Sequence, residues 1–341
     1  MVEQARRVLA QALAASSRAS YKSAVKHIES FYIKCNMPLR FPVSNDTLCL
    51  WMADAAKTLK FSTIRAYLHG VATTQVELGF RTPLLSEGVV WRMLKGIKRM
   101  QGGGTVKIRL PITTTVLCLL EGHQSKDSAT GRCLRAAMWL GTTGLLRSGE
   151  FAWRNANSVL LLRSALTFHD VDGVELSDAH RRSALYMKVR IPQSKTDPFR
   201  IGVDVVVANS LAMTAMHDYL DVREGASNEA LFVTLTGDSK QSPLSVTELV
   251  SNTQRLLLAA RVSDPQLYLG HSFRKGGATS LHEAGESDSL IKTMGRWRSF
   301  AFATYVTTSL PLLIRAGQQM TAARVVRRKV TFDPKNVRQW E

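Results

Sequence analysis

"HSFRKGGATSLHEAG" occupies residues 271–285. It reads as a helix that opens with His271 and Arg274. Side chains three apart share a helix face, so two cationic or near-cationic groups point the same way. Lys275 lies off that face, and Gly276 and Gly277 come directly behind. A solvated basic helix end is one reading. The other is that an anion sits against the pair. The two glycines suit a helix that closely approaches other backbone or neighbouring helices.

Composition favours an anionic partner. Lys and Arg number 45 against 27 Asp and Glu, a formal net charge of +18. Such an excess suits a polyanion, nucleic acid being the commonest, although ribosomal and membrane-surface proteins share it. At 341 residues the chain is long enough for about two domains with real cores. The hydrophobic fraction of 45% and charged fraction of 21% are those of a globular protein. Cys35, Cys49, Cys118 and Cys133 form no CxxC pair and lie near no His cluster, which argues against zinc. No GxxxxGK[ST] phosphate loop occurs, which argues against ATP. "MVEQARRVLAQALAASS" is too polar for a secretory signal, and no apolar run has membrane-spanning length. The expectation is a soluble protein of a reducing compartment with no cofactor, no metal and no membrane partner.

Periodicity divides the chain. Tyr21, Ala24, Ile28, Phe31 and Tyr32 recur at helical spacing. So do Leu48, Trp51 and Met52 behind a Ser/Asn/Asp cap cluster. In residues 86–100, Val90, Trp91, Leu94 and Ile97 form one stripe, with Arg92, Lys95, Lys98 and Arg99 on the other sides. Those four suit either a solvated face or contact with a phosphate backbone. "QGGGTVKIRLP" then marks a flexible, basic linker containing Lys107 and Arg109. Helices return in "TTTVLCLLEGH" and "GRCLRAAMWLGTTGLLRSGEFAWR". Alternating Val, Ile, Tyr and Phe between about residues 164 and 207 predict strands, with turns at Asp172–Gly173 and near Ser194–Asp197. Helices are expected from about Leu211 onward. The fold class is mainly α with a small antiparallel sheet (α+β). The expected boundaries are a helical domain at 1–103, a linker at 104–111, a second domain at 112–320 and a basic tail at 321–341.

Three islands carry chemistry: "TTGLLRSGEF" with Arg147 and Glu150, "HSFRKGGATSLHEAG" with His271 and Arg274, and "GRWRSFAFATY" with Trp297 and Tyr305. Alone, each has a plain reading: an intrahelical ion pair, a basic helix end, a core tyrosine. Jointly and in this order they resemble the tyrosine recombinase or phage integrase family. The match is Cre-like, and the wording is nearest to recombinases of eukaryotic mobile elements. The resemblance covers most of the chain, since the N-terminal helices and linker resemble the family's core DNA-binding domain. One departure is visible. Trp297 precedes Tyr305 by eight residues, where many bacterial members have nine.

The resemblance implies a site-specific recombinase that cuts and rejoins double-stranded DNA through a covalent 3′-phosphotyrosyl intermediate, without metal or ATP. It implies Tyr305 as nucleophile, Arg147 and Arg274 as a clamp on the non-bridging oxygens, and His271 as base. It also implies a strand-turn lysine as acid, for which Lys195 in "PQSKTDPFR" is the candidate, with Lys188 and Arg190 as rivals. Trp297 would donate its indole N–H, and Glu150 would orient Arg147 or a neighbouring main-chain group. The types suit the reaction. Bidentate guanidinium groups match phosphate oxygens. A phenol of pKa about 10 needs a base or a positive field. The leaving alkoxide needs a proton. Arg92, Lys95, Lys98, Arg99, Lys107, Arg109 and Lys275 are the expected backbone contacts. The family further implies a two-domain clamp on duplex DNA, a homo-tetramer on paired sites, a monomer or dimer otherwise, and an intracellular, DNA-associated location (nucleus or nucleoid, according to host). Its C-terminal helix would be supplied here by "LPLLIRAG" (310–317). Two rivals stand beside this reading: a type IB topoisomerase-like nicking-resealing enzyme, and a catalytically inactive, domesticated DNA-binding protein. Asp170 and Asp172 in "HDVDG" read as a turn rather than a metal pair.

Overall fold

The structure is a computed structural model. It describes residues 11–81, 88–102, 108–156, 158–194, 197, 199–223, 225–235 and 241–306, with isolated positions 4, 8 and 314. The chain divides into two compact units, Met1–Ile108 and Arg109–Glu341.

The first unit is helical: α1 (Ala15–Lys34), α2 (Asn45–Ala55), α3 (Phe61–Glu77) and α4 (Gly88–Met100). The apolar periodicity of α1 places Ala24, Ile28, Phe31 and Tyr32 in the core with Leu48, Trp51 and Met52 of α2. Ser44 starts α2 by accepting from the Thr47 N–H at 3.2 Å. Polar contacts also cross this core. Trp51 Nε1 donates to His27 Nδ1 at 3.0 Å, and Gln75 Oε1 accepts the Val43 N–H at 3.0 Å. In α4 the stripe is narrower than the sequence predicts. Val90, Leu94 and Ile97 are buried, but Trp91 is exposed under the Lys95 ammonium, 5.1 Å from its centroid. A cation over an indole face is favourable in its own right, so the ring serves the basic surface rather than the core. Gln101 closes this unit. Its Oε1 accepts the Phe61 N–H at 2.7 Å, and its Nε2 donates to the carbonyls of Ala56 and Leu59.

The second unit is arranged around α6 (Ala129–Thr143), which is apolar almost all round and buried along most of its length. A helix of that kind needs partners on every side. They are α5 (Thr114–Glu121), α8 (Ser210–Leu220), α9 (Val246–Ala259) and α10 (Ser272–Glu283). The buried Arg135 on α6 meets Glu121 Oε1 and Asp218 Oδ2, each at 2.8 Å. Strands β1 (Leu166–His169), β2 (Glu175–Leu176), β3 (Tyr186–Ile191) and β4 (Val203–Val207) form one antiparallel sheet in the order β2-β1-β3-β4. The Asp170 carboxylate accepts the N–H groups of Asp172 and Val174, so "HDVDG" is a turn.

Beyond residue 211 the expectation of unbroken helix fails. A second hairpin, β5 (Val233–Leu235) and β6 (Gln241–Pro243), precedes α9. Its strands are three residues long, too short for a period of two to register. After α10 come α11 (Asp288–Met294) and a 3₁₀ turn at Phe300–Thr304. Among the described residues no helix is long and apolar enough to cross a membrane. The segment 310–317, expected above to supply the C-terminal helix, lies outside the described residues apart from Ile314.

The glycines of the quoted stretch decide how α10 sits. A Cβ on Gly276 would overlap the Ile112 carbonyl, and one on Gly277 would overlap that of Thr142. Ile112 N–H donates to Ser272 O at 2.9 Å, so the segment entering this unit runs against α10 backbone to backbone. Gly276→Val should therefore lower the melting temperature by roughly 2–12 °C, given about 1–3 kcal/mol for overpacking. Thermal denaturation by circular dichroism checks this; an unchanged midpoint would contradict the packing.

Candidate active site

The three islands converge in the second unit. The turn after α6 carries Leu145 in the left-handed region, φ 48°, where a helix end usually takes glycine. Its side chain is buried, and its carbonyl accepts from Arg274 Nη1 at 2.6 Å and from Arg296 Nη2 at 3.3 Å. Arg147 caps the one-turn helix α7 (Ser148–Phe151). Its main-chain N–H donates to Glu150 Oε2 at 2.9 Å and its Nη1 to Oε1 at 2.8 Å. Glu150 also accepts from Arg296 Nη2 at 2.9 Å. Burial by itself would raise the Glu150 carboxyl. Arg296, the Arg147 main-chain N–H and the Arg147 guanidinium outweigh it and hold the group below the ordinary carboxylate range.

Arg274 is wholly buried in the first turn of α10. It donates to the carbonyls of Leu145 and Gly295. Burial, with Arg147 and Arg296 adjoining, brings its pKa down to about 9, so it stays charged at neutral pH. The Trp297 ring lies over this guanidinium, with 4.2 Å between its centroid and Cζ. Tyr305 completes the stack, 5.3 Å from Trp297 centroid to centroid and 5.9 Å from Arg274 Cζ. Tyr305 is not on a helix: it follows the 3₁₀ turn and is held by Thr279 Oγ1 donating to its carbonyl at 3.3 Å. Trp297, Tyr305 and Val306 pack on a small cluster of Leu145, Ala278, Ile291 and Phe302, separate from the main core.

His271 is the N-cap of α10 rather than a residue within it, because the helix begins at Ser272. Half-burial, then Arg109, Arg154, Arg147 and Arg274, keep its pKa below the ordinary histidine value. The ring is thus neutral at pH 7 and able to take a proton. Lys275, expected to reach a flanking phosphate, instead donates Nζ to the Arg109 carbonyl at 2.9 Å, and burial lowers its pKa. The linker's end uses that charge as a fastening. Arg109 itself is exposed, as are Arg92, Lys95, Lys98 and Arg99 on α4 of the first unit; Lys107 lies outside the described residues.

Lys195 also lies outside the described residues. Its neighbours Ser194 and Asp197 line an open groove of about 610 Å³ beside Lys292, Arg296, Trp297 and Arg298. The Asp197 carboxylate accepts the N–H groups of Gly202 and Ile201 at 2.8 and 3.2 Å and so shapes this side of the β3–β4 connection. Of the rival cations, Arg190 is engaged with Asp204 and the Ile201 carbonyl, and Lys188 lies mid-strand on β3. Sequence reasoning passed over two cations here, Arg154 and Arg296. Arg296 stood in the "GRWRS" island beside Trp297, but nothing in its spacing points to a carboxylate 146 residues away.

No protein-family model matches the chain, and no curated protein does. Solved structures do. A post-cleavage complex of XerH site-specific recombinase bound to palindromic difH substrate superposes with a TM-score of 0.61 at 14% identity, over 89% of this chain and 79% of that one. The Tn1549 transposon integrase in complex with transposon right end DNA gives 0.56 at 13% identity, over 91% and 95%. The pre-cleavage XerH complex gives 0.54 at 15% identity, over 88% and 78%. The chain has the fold of the tyrosine recombinases and integrases, as the motifs led one to expect.

Glu150→Gln should destabilise the protein, because it leaves two guanidinium groups facing a neutral amide. Removing one partner of a buried ion pair costs about 3–5 kcal/mol, or roughly 6–20 °C in melting temperature. The carboxyl's folded pKa lies below its unfolded value of about 4.3. Its contribution is therefore present above that value and is lost as pH falls through the folded pKa. The gap between the melting curves of the two proteins should narrow as pH falls below about 4.3; a gap that widens on acidification would contradict the pairing.

Proposed function

We propose that this protein is a site-specific DNA recombinase acting through a 3′-phosphotyrosyl intermediate. One observation carries the reading: Tyr305 lies against Trp297 and Arg274, with Arg147 and His271 in the same cluster, on a recombinase fold. A phenol set among guanidinium groups is placed where an attacked phosphate's charge would be balanced.

In this reading Tyr305 Oη attacks the scissile phosphorus and the P–O5′ bond breaks. The phenolic proton passes to His271, whose depressed pKa keeps it free to accept one. The departing O5′ takes a proton from Lys195. Charge growing on the two non-bridging oxygens falls to Arg147 and Arg274, donors fixed before the reaction begins. Trp297 supports Arg274 from one face. The phosphotyrosine retains the energy needed for rejoining, so the reading requires neither metal nor nucleotide. The first unit serves as the core DNA-binding domain and the second as the catalytic domain. The exposed cations of α4, with Arg109, contact phosphates of the duplex. Assembly on paired sites is as a homo-tetramer, with the segment 310–317 exchanged between subunits.

Duplexes nicked near the scissile position trap the covalent intermediate, because the short leaving strand diffuses away. Tyr305→Phe should abolish the adduct seen on denaturing gels while leaving DNA binding within about threefold, since one hydroxyl is lost and no cation is. An adduct formed by the Phe protein would overturn the reading. Lys195→Ala should recover most of its lost cleavage rate on a substrate with sulfur at the 5′-bridging position, a leaving group that needs little protonation. Equal defects on oxygen and sulfur substrates would move the acid elsewhere.

A further inference from the structure

Arg296 has no role in the reaction just described, yet the structure spends much on it. Its backbone is left-handed, φ 57°, a conformation that glycine takes freely and an L side chain does not. From there Nη2 reaches Glu150 Oε2 at 2.9 Å and the Leu145 carbonyl at 3.3 Å. Leu145 is itself left-handed, so two strained non-glycine residues meet at one hydrogen bond. Glu150 is the common element. Its Oε2 takes Arg296 Nη2 and the Arg147 main-chain N–H, while Oε1 takes Arg147 Nη1. Arg296 thus touches Arg147 only through a carboxylate that both share. Its other nitrogens, Nε and Nη1, are buried with no hydrogen-bond partner among the described residues, as is Arg274 Nε. Three guanidinium groups surround one carboxylate, which leaves the cluster in want of a further anion.

We propose that Arg296 is a positioning residue: it clamps Glu150 at Oε2, the oxygen that also accepts the Arg147 main-chain N–H, and so fixes the carboxylate that aims the Arg147 guanidinium at an incoming phosphate. The proposal rests on the phosphoryl-transfer reading above. It accounts for an arginine at a left-handed position, where strain persists only if its surroundings enforce it. It also gives Glu150 a second anchor, without which the carboxylate could turn with the one-turn helix α7. Arg296 further governs the charge of that carboxylate. Glu150 is faced by Arg147 on its own helix, by Arg296 from the turn after α11 and, less directly, by Arg274 from α10. Among the groups that lower its pKa, Arg296 leads. Without Arg296, burial opposes Arg147 alone and the carboxyl shifts upward.

The test is Arg296→Gly in the full chain, since glycine relieves the left-handed backbone while removing the clamp. The rate of covalent trapping, on nicked duplexes selected from a randomised pool by the wild-type protein, should fall about 10²-fold, the scale of a misplaced catalytic group. DNA affinity should stay within threefold. The acid limb of the pH–rate profile should move to higher pH, because Glu150 now protonates sooner. His271, depressed by burial and by Arg109, Arg154, Arg147 and Arg274, titrates in both proteins. Arg296→Lys should recover part of the rate and return the limb toward that of wild type. In parallel, inorganic phosphate should raise the wild-type melting temperature and raise that of Arg296→Gly less. A trapping rate within threefold of wild type, or a large rate loss with an unmoved acid limb and no rescue by lysine, would overturn the proposal. If the wild-type protein forms no adduct with any duplex, the recombinase reading fails; equal phosphate shifts in the two proteins would then overturn the Arg296 role as well.

Discussion

The site depends on one buried carboxylate. Glu150 cannot remain charged in its surroundings without cations, and the half-buried Arg147 and Arg296 cannot remain beside each other without it. The three groups are therefore mutually required. Because they come from α7 and from the turn after α11, satisfying them joins two distant parts of the chain. Arg274 enters the same cluster through the Leu145 carbonyl, which it shares with Arg296. The pair and its neighbours retain net positive charge. That is a poor arrangement for stability in isolation and a suitable one for meeting a phosphate, where preorganised donors act most strongly away from water.

Packing makes this electrostatic arrangement possible. α6 is the axis of the second unit, and its end must turn sharply to present Arg147. Leu145 accepts a left-handed backbone there, and its buried side chain anchors the small cluster on which the Tyr305 segment rests. α10 comes close to α6 and to the segment at Ile112 because Gly276 and Gly277 have no Cβ to prevent it. Arg274 is thereby delivered beneath Trp297 and Tyr305. The candidate nucleophile packs against a cluster of four buried residues, much smaller than the main core. Elements with few buried contacts open at lower free energy than core elements, which sets the aromatic pair apart from Arg274, whose helix carries Phe273 into the main core.

The two basic surfaces differ in kind. On the first unit α4 displays Arg92, Lys95, Lys98 and Arg99 to solvent, with Lys95 over Trp91 and Lys98 Nζ 5.8 Å from the centroid of the Phe61 ring. Such cations supply affinity for any polyanion and fall off with salt. At the candidate site of the second unit Arg274 is buried and Arg147 and Arg296 are half-buried, engaged with carbonyls and a carboxylate, and oriented. Only the latter can distinguish one phosphate geometry from another. Lys275 shows that a cation in the right motif can be spent otherwise, on the Arg109 carbonyl.

Much of this was legible in the chain. The helical stripes of α1, α2 and α4, the switch to alternation between β1 and β4, and the turn at Asp170 follow from side-chain period and local hydrogen bonding, which act over a few residues. The order of the three islands pointed to Arg147, Glu150, His271, Arg274, Trp297 and Tyr305 together. The misses were those that depend on distant contacts. Trp91 fits the apolar stripe, yet is left outside it once α4 packs. β5 and β6 are too short to carry a period. His271 becomes a cap because the helix starts one residue later. Arg296 was invisible because its partner is 146 positions away. Sequence by itself determined which residue types are available and on which faces they recur, since those depend on backbone geometry common to all chains. Tertiary structure alone decided which cations share one carboxylate, because the energy of a buried charge depends on who surrounds it in space and not on where they stand in the chain.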